Sequence, residues 1–168
     1  MSADDVAAFE GSLADLDVGL TRTGPDGFGD AVAAAIEEPA VGAALPFESV
    51  SLEDTAVTLE PTPRDLRAAT TSVTPARLGI ASYGSLAIES RPAGDEPISL
   101  YPRRHVAVLR AGDVVPDVAS ALDVLGEDVI GEGGSAVLAT GASATGDMGA
   151  IVEGVHGPLE VHVVLIEP

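Results

Sequence analysis

A turn of small and hydroxyl-bearing residues, Gly141 to Asp147, is the segment best suited to hold a ligand. It lies between an apolar run typical of a strand and a stretch typical of a short helix. Backbone N–H groups at a helix start, together with the hydroxyls of Ser143 and Thr145, can bind a carboxylate or a phosphate. Asp147 is a candidate base, or a group that orients a hydroxyl. The same residues fit a plain helix start equally well, with Ser143 or Thr145 as the cap.

A second turn, Gly154 to Pro158, follows that helix and precedes the last apolar run. Gly154 and Gly157 flank His156 and leave its imidazole room to act as an acid, a base or an anion-binding donor. The alternative is a histidine that is hydrogen-bonded to the backbone within a tight turn. Asp147 and His156 are therefore the candidate catalytic residues.

A third turn places Gly84 and Ser85 directly before an apolar run. It forms either one wall of the same cleft or a plain turn. His105 opens another apolar run, after Arg103 and Arg104. The two arginines could neutralise an anionic substrate, but in so acidic a chain they more often pair with surface carboxylates. Three scattered histidines without cysteine or an i, i+4 pair predict no zinc site.

The elements that position these turns alternate between amphipathic stretches and short apolar runs. Spacings of three and four predict a first helix behind Ser2 as its cap, with an apolar face of Val6, Phe9, Leu13 and Leu16. Thr62, Pro63 and Asp65 are typical of the start of a short helix. Further helices are predicted through Val32 and Ile36, over 116–125 with Val118, Leu122 and Leu125 on one face, and after Thr145. Strands are predicted at 41–45, 55–59, 85–90, 105–109, 136–140 and 161–166, and loops at 91–102 and 126–134.

Near-continuous Val, Leu and Ile runs between helices predict a mainly parallel sheet that is covered on both faces. The expected fold class is α/β, arranged as a three-layer sandwich. In such sheets ligands bind beyond the carboxyl ends of the strands, so we expect the candidate cleft there. No repeat or linker is visible, so residues 1–168 are predicted to form a single domain, with a helical N-terminal part over 1–40.

The charge balance excludes some functions and indicates an environment. Acidic residues number 27 against 8 basic ones, all arginine, for a formal charge of -19. Self-repulsion at this charge is relieved in molar salt, where the Debye length is about 3 Å, so we interpret the surface as a salt adaptation. Nucleic acid is excluded as a partner, because it requires clustered basic residues with aromatic platforms.

The chain has no cysteine, which excludes disulfides, thiolate catalysis and any iron-sulfur cluster that its own cysteines would ligate. No cofactor is expected on this chain, and any cluster must belong to a partner. The first residues are acidic and lead into no long apolar segment. These features predict a cytoplasmic protein, in a high-salt cytoplasm, without a membrane span.

Taken together and in this order, the three turns resemble the signature motifs of the LUD family. The family pattern Gly-Pro-Ser-Arg-Thr-Ala-Asp-Ile, followed by Gly-Val-His-Gly-Pro, reads here as Gly141-Ala142-Ser143-Ala144-Thr145-Gly146-Asp147-Met148, then Gly154-Val155-His156-Gly157-Pro158. Residues 80–86 resemble its Ile-Ala-Glu-Thr-Gly-Thr/Ser-Leu motif, and Leu100-Tyr101-Pro102 with His105 resembles its Leu-Leu-Pro-x-x-His. The motifs lie within residues 70–168, and with the composition they indicate a halophilic archaeal member of the lactate utilization protein C type.

This resemblance implies a fold akin to the ribose-phosphate isomerase, glucosamine-phosphate isomerase and CoA-transferase group. It also implies a role in the oxidation of lactate to pyruvate, beside iron-sulfur partners. Three charged positions of the family pattern are replaced, by Ser82, Ala144 and Leu159. If relatives use those charges to hold an anion or move a proton, this chain binds a different ligand or acts only as a partner subunit.

Two kinds of function follow from this reading. The first is a subunit or accessory protein of lactate utilization, with iron-sulfur subunits as partners. The second is a stand-alone enzyme or binding protein for a sugar phosphate, an acyl-CoA or a small organic anion, which rests on fold analogy. Either would use the candidate ligand-binding residues, which are Gly84, Ser85, His105, Gly141, Ser143, Thr145, Gly154 and Gly157.

Overall fold

The computed structural model describes residues 3–131, 133–142 and 157–168. The helices in those ranges are α1 Ala3–Asp15, α2 Phe28–Ala35, α3 Pro63–Ala68, α4 Asp95–Leu100 and α5 Val118–Leu125. The strands are β1 Gly19–Thr23, β2 Ala40–Gly42, β3 Val57–Leu59, β4 Thr71–Pro75, β5 Leu78–Ile80, β6 Ser85–Glu89, β7 Arg104–Arg110, β8 Val114–Val115, β9 Ala136–Thr140 and β10 Glu160–Ile166. None of the helices described here is both long and apolar enough to cross a membrane.

The strands form two sheets. Six of them make an all-parallel sheet in the order β1-β10-β7-β4-β2-β3, which confirms the predicted α/β class with a parallel sheet. The other four make a smaller mixed sheet in the order β8-β5-β6-β9, which the sequence pattern did not reveal. In this small sheet β6 pairs antiparallel with both β5 and β9, while β5 and β8 run parallel.

Apolar side chains cover both faces of the six-stranded sheet, because successive residues of a strand point to opposite sides. On one face Ala107 and Leu109 of β7 pack with Phe9 of α1 and with the small sheet. On the other face Val106 and Val108 pack against α2. Helix α5 covers the far side of the small sheet, so the structure has one layer more than the predicted three-layer sandwich.

The local signals placed most elements correctly and several bounds incorrectly. The capping box of Thr62 and Asp65 starts α3 as expected, and α2 ends well before Pro39. Residues 91–102, predicted as a loop, contain α4, and Gly126–Ile130 form a π-helical turn rather than an open loop. Leu122, predicted on the apolar face of α5, is 53% exposed, and Ala121 is buried in its place. The short strands β1, β4, β5 and β8 were not predicted.

Two edges of the six-stranded sheet matter for function. We call the edge where its strands begin the amino edge and the edge where they end the carboxyl edge. The chain leaves β2 towards β3 on one side, whereas it leaves β4 towards β7 on the other. The order of the strands therefore reverses between β2 and β4, which opens a crevice at the carboxyl edge.

Candidate functional site

Two of the predicted site residues, His105 and Gly141, line one cavity at the amino edge of the six-stranded sheet. There, a cleft of about 230 Å³ lies where β7 and β10 begin and β9 ends. We call it the amino-edge cleft. It is lined by Ile88, Ser99, Leu100, His105, Val137, Leu138, Ala139, Thr140, Gly141, Ala142, Pro158 and Val161.

His105 forms the polar floor of this cleft. It is the second residue of β7 and projects between the two sheets, where its side chain is 2% exposed. Its Nε2 lies 2.8 Å from Oγ1 of Thr74 on β4, whose side chain is also fully buried. Burial lowers the pKa of His105 to about 4, because the apolar surroundings disfavour the charged imidazolium. At neutral pH this histidine is therefore a neutral hydrogen-bonding group rather than a cation.

Ser85 is hydrogen-bonded to a residue that lines the cleft. Its Oγ lies 2.7 Å from Oγ1 of Thr140, the residue directly opposite it on β9, and Thr140 lines the cleft. Gly141 follows Thr140 and has a φ of 67°, a left-handed conformation that glycine adopts at least cost. Thr140 therefore ends β9, and the conformation of Gly141 turns the chain away from the strand direction beside the cleft.

Gly84 lies against α1. Its φ is 62°, and a Cβ placed there would lie 3.1 Å from the carbonyl carbon of Ser12 and 3.1 Å from Leu16 Cδ1, both on or next to α1. The residue thus allows α1 to approach the small sheet closely. It contacts the helix rather than the residues that line the amino-edge cleft.

The remaining predicted residues lie beside the cleft or outside the described ranges. Gly157 precedes Pro158, which lines the cleft at the start of β10. Ser143, Thr145, Asp147, Gly154 and His156 lie outside the described residues, as does the helix predicted after Thr145. Their assignment as ligand-binding and catalytic residues stays a prediction.

The position of this cleft differs from the expected one. We expected the motif residues beyond the carboxyl ends of the parallel strands, yet His105 and Pro158 lie at strand beginnings. The reason is the small sheet, whose strand β9 ends over the amino edge of the larger one. Because the sequence pattern did not reveal a second sheet, it gave no means of placing this junction.

A second concavity adjoins the cleft, with Ala142 and Val161 shared between them. His162 lines it, and its ring lies so close to Gly19 on β1 that any Cβ there would collide with Nδ1. His162 Nε2 lies 2.9 Å from Thr21 Oγ1. Burial and the nearby Arg104 guanidinium both lower the pKa of His162, so this imidazole is also neutral.

The adjacent arginines pair with carboxylates, as the acidic composition predicted. Arg103 reaches Glu160 at 2.6 Å, and Arg104 reaches Glu160 at 3.1 Å and Glu37 at 3.3 Å. Within the described ranges, no three His, Cys, Asp or Glu side chains come together as metal ligands.

Sequence reasoning missed a further group of residues at the carboxyl edge. Arg77, Arg91 and Arg110 line a crevice of about 260 Å³ between the loops that follow β2, β4, β6 and β7. We call it the carboxyl-edge crevice. A signal was present, because Arg91 and Arg110 directly follow two of the predicted strands in a chain with few basic residues.

These features define an α/β protein with a parallel six-stranded sheet, a small second sheet and a cleft of small and neutral polar residues between them. The chain matches the LUD domain family over residues 43–166 and belongs to that family. It is 31% identical over 91 residues to lactate utilization protein C of Deinococcus radiodurans, an alignment that covers 53% of this chain and 42% of that protein. The chain thus spans less than half the length of this relative.

A solved structure shares the fold. A DUF162 family protein from Deinococcus radiodurans superposes with a TM-score of 0.78 at 20% identity, and the match covers 99% of both chains. At this identity the likeness shows the fold alone. Of the three departures from the family motifs, Ser82 lies in the turn after β5, with its N–H bonded to Pro116 O, and Leu159 lines the second concavity. Ala144 lies outside the described residues.

Proposed function

We propose that this chain is a subunit or accessory protein of lactate utilization, which acts in the oxidation of lactate to pyruvate together with iron-sulfur partners. The observation that carries the proposal is the LUD domain match, which spans both walls of the amino-edge cleft. The likeness to a protein named for lactate utilization adds the metabolic context. The proposed salt adaptation of the surface sets the conditions in which the chain must be tested.

The chemistry of the reaction supports a partner. Lactate becomes pyruvate by losing two electrons and two protons, so an electron acceptor is required. The chain has no cysteine, so an iron-sulfur cluster with cysteine ligands would have to be bound by another protein. In the amino-edge cleft, His105 is neutral and engaged with Thr74, which suits binding and orientation better than proton transfer at neutral pH.

The rim of the cleft supports docking. Leu100 and Leu138 line the cleft and are 37% and 45% exposed, and the neighbouring Tyr101 is 58% exposed. Exposed large apolar side chains beside one another typically mark a protein interaction site. Leu138 lies on β9, which is the last strand of the small sheet within the described residues.

The test is a pull-down of the tagged chain from lactate-grown cells of its native host, in molar KCl throughout, with iron assayed on the recovered proteins. We expect an iron-sulfur protein to be recovered with the wild type and lost with Leu138→Asp. The matched control is Leu122→Asp, which makes the same change at an exposed leucine on α5, away from the cleft. The proposal is contradicted if the tagged chain is recovered alone and without iron, and if a strain that lacks its gene grows normally on lactate.

A further inference from the structure

We propose that the carboxyl-edge crevice is a second binding site, which holds the carboxylate or phosphoryl group of a small organic anion through Arg91 and Arg110. Its walls are the loop after β2, with Pro46 and Phe47, and the chain that leaves β4 at Pro75. The strand order reverses between these two strands, and the crevice outside such a reversal is where open α/β sheets bind their ligands. The site is thus separate from the amino-edge cleft, at the opposite edge of the sheet.

The distribution of charge supports an anionic ligand. The chain has 8 basic residues against 27 acidic ones. Three of the eight, Arg77, Arg91 and Arg110, line this one crevice, together with the acids Glu89 and Asp113. On a surface that otherwise repels anions, the crevice is a place where guanidinium groups can meet a carboxylate or a phosphate with their planar donor fork.

Contacts within the protein hold each guanidinium in place, and for Arg110 they come from Asp113 and Phe47 of the crevice itself. Arg91 Nε and Nη2 donate to the two carboxylate oxygens of Asp95 at 2.8 and 2.6 Å, and the Asp95 side chain is 1% exposed. Arg110 Nε donates to Asp113 Oδ2 at 2.6 Å, while its Cζ lies 5.2 Å from the centre of the Phe47 ring. Arg91 Nη2 also donates to Ala44 O at 2.8 Å. Among the described residues these bonds use three of the five N–H donors of Arg91 and one of Arg110, so both keep donors for a ligand.

The size and walls of the crevice limit the ligand further. About 260 Å³ is below the roughly 300–1,000 Å³ of sites for drug-sized ligands, so a small acid fits and a dinucleotide does not. Pro46, Phe47, Pro75 and Ala76 form an apolar wall beside the arginines. The crevice therefore suits an anion with a short carbon body, such as a small carboxylic acid or a phosphate ester.

The test exploits the composition of the chain, because its basic residues are eight arginines and no lysine. The arginine Nε–H region of a ¹H–¹⁵N spectrum is followed during separate titrations of the full chain with pyruvate, L-lactate and inorganic phosphate. KCl is kept near 1 M, where a Debye length of about 3 Å suppresses distant effects. We expect at least one probe to shift the Arg91 and Arg110 signals with saturation, while the five arginines outside the crevice stay unchanged. Saturation by the two carboxylates or by phosphate alone identifies which anion the site prefers.

Variants assign the signals and test the contact. Arg110→Gln is expected to raise the Kd of the bound probe about tenfold or more, the cost of losing one charge-assisted hydrogen bond. Arg67→Gln, the same change on the exposed end of α3, is expected to leave the Kd within twofold. Because Arg110 is 48% exposed, its replacement leaves the core intact, and the wild-type titration decides even if the variant does not fold. The proposal is overturned if no probe saturates the crevice signals, or if Arg110→Gln binds like Arg67→Gln. Neither result bears on the lactate role, which the pull-down tests.

Discussion

The floor of the amino-edge cleft is a neutral and buried polar pair, whereas the carboxyl-edge crevice is lined by charged groups within reach of water. His105 and Thr74 are bonded to each other at 2% and 0% exposure. Arg91 and Arg110 hold carboxylates while 21% and 48% of their side chains stay exposed. A buried neutral pair keeps both side chains in one position, because a group that loses its partner there has no water to bond to instead. A half-exposed ion pair can add a ligand at little cost.

The difference assigns different tasks to the two edges. The amino-edge cleft has an apolar rim and a rigid polar floor, which suits a partner protein or a neutral portion of a ligand. The carboxyl-edge crevice has partly exposed guanidinium groups that carboxylates hold in place, which suits an anion. Substitutions at the two edges measure how much burial and charge pairing each contribute to the free energy of unfolding.

The largest effect is expected from acid at His105. Its pKa is about 4 in the folded chain against 6.5 for an ordinary histidine, so below pH 6.5 the unfolded chain takes up a proton that the folded chain refuses. Stability is therefore fully present above about pH 6.5 and is lost as the pH falls towards 4. Over that range the loss is roughly 3 kcal/mol, from about 1.4 kcal/mol for each pKa unit.

The measurement is chemical unfolding of wild type and His105→Gln at constant KCl between pH 7.5 and 4. Glutamine can keep a hydrogen bond to Thr74 and does not titrate in this range. The wild type is expected to lose roughly 3 kcal/mol more than the variant. Equal pH dependence of the two proteins would mean that His105 is hydrated in the folded state, and that the floor of the cleft is not the dry surface described here.

A smaller loss is expected when the carboxyl-edge pair is broken. Arg91→Gln leaves the carboxylate of Asp95 buried without its bidentate partner, which costs about 2 to 3 kcal/mol of unfolding free energy. Asp95→Asn costs less, because Arg91 is partly exposed and can turn to water. The double variant completes a cycle whose coupling free energy measures the pair itself.

The control for this cycle is an exposed ion pair at the amino edge. Arg103 and Glu160 approach to 2.6 Å but are 58% and 38% exposed, so Arg103→Gln is expected to cost less than about 1 kcal/mol. If Arg91→Gln is as mild as Arg103→Gln, then Asp95 does not hold the Arg91 guanidinium, and the crevice loses one of its two fixed donors.

The sequence predicted the strands and helices whose signals are local. The capping box at Thr62 and the valine-rich runs of β7 and β10 are examples, because caps and apolar periodicity act within a few residues. It did not predict β5 and β8, which are three and two residues long. Strands so short carry no period, and their pairing depends on tertiary structure, because β8 joins β5 from more than thirty residues further along the chain.

The candidate site was predictable to a similar extent. Motif resemblance selected His105 and Gly141, which the structure brings to one cleft. It also selected Gly84, whose positive φ serves the packing of α1, because a pattern of residues cannot distinguish a glycine near a ligand from one near a helix. The three crevice arginines lie at or just after the ends of three different strands, β4, β6 and β7, so only the tertiary structure brings them together.

The smallest effect is expected at the rim of the amino-edge cleft, where Ser85 and Thr140 join β6 to β9. Thr140 is exposed, so in Ser85→Ala its hydroxyl can bond to water instead, and the loss is expected to be about 1 kcal/mol or less. Unfolding of Ser85→Ala, Thr140→Val and the double variant measures it. The Ser85–Thr140 bond is neutral like the His105–Thr74 bond but lies within reach of water. It therefore separates the effect of neutrality from the effect of burial. A loss well above about 1 kcal/mol would show that neutrality alone strengthens a bond at this cleft, whereas a loss of about 1 kcal/mol or less assigns the strength of the His105 bond to burial.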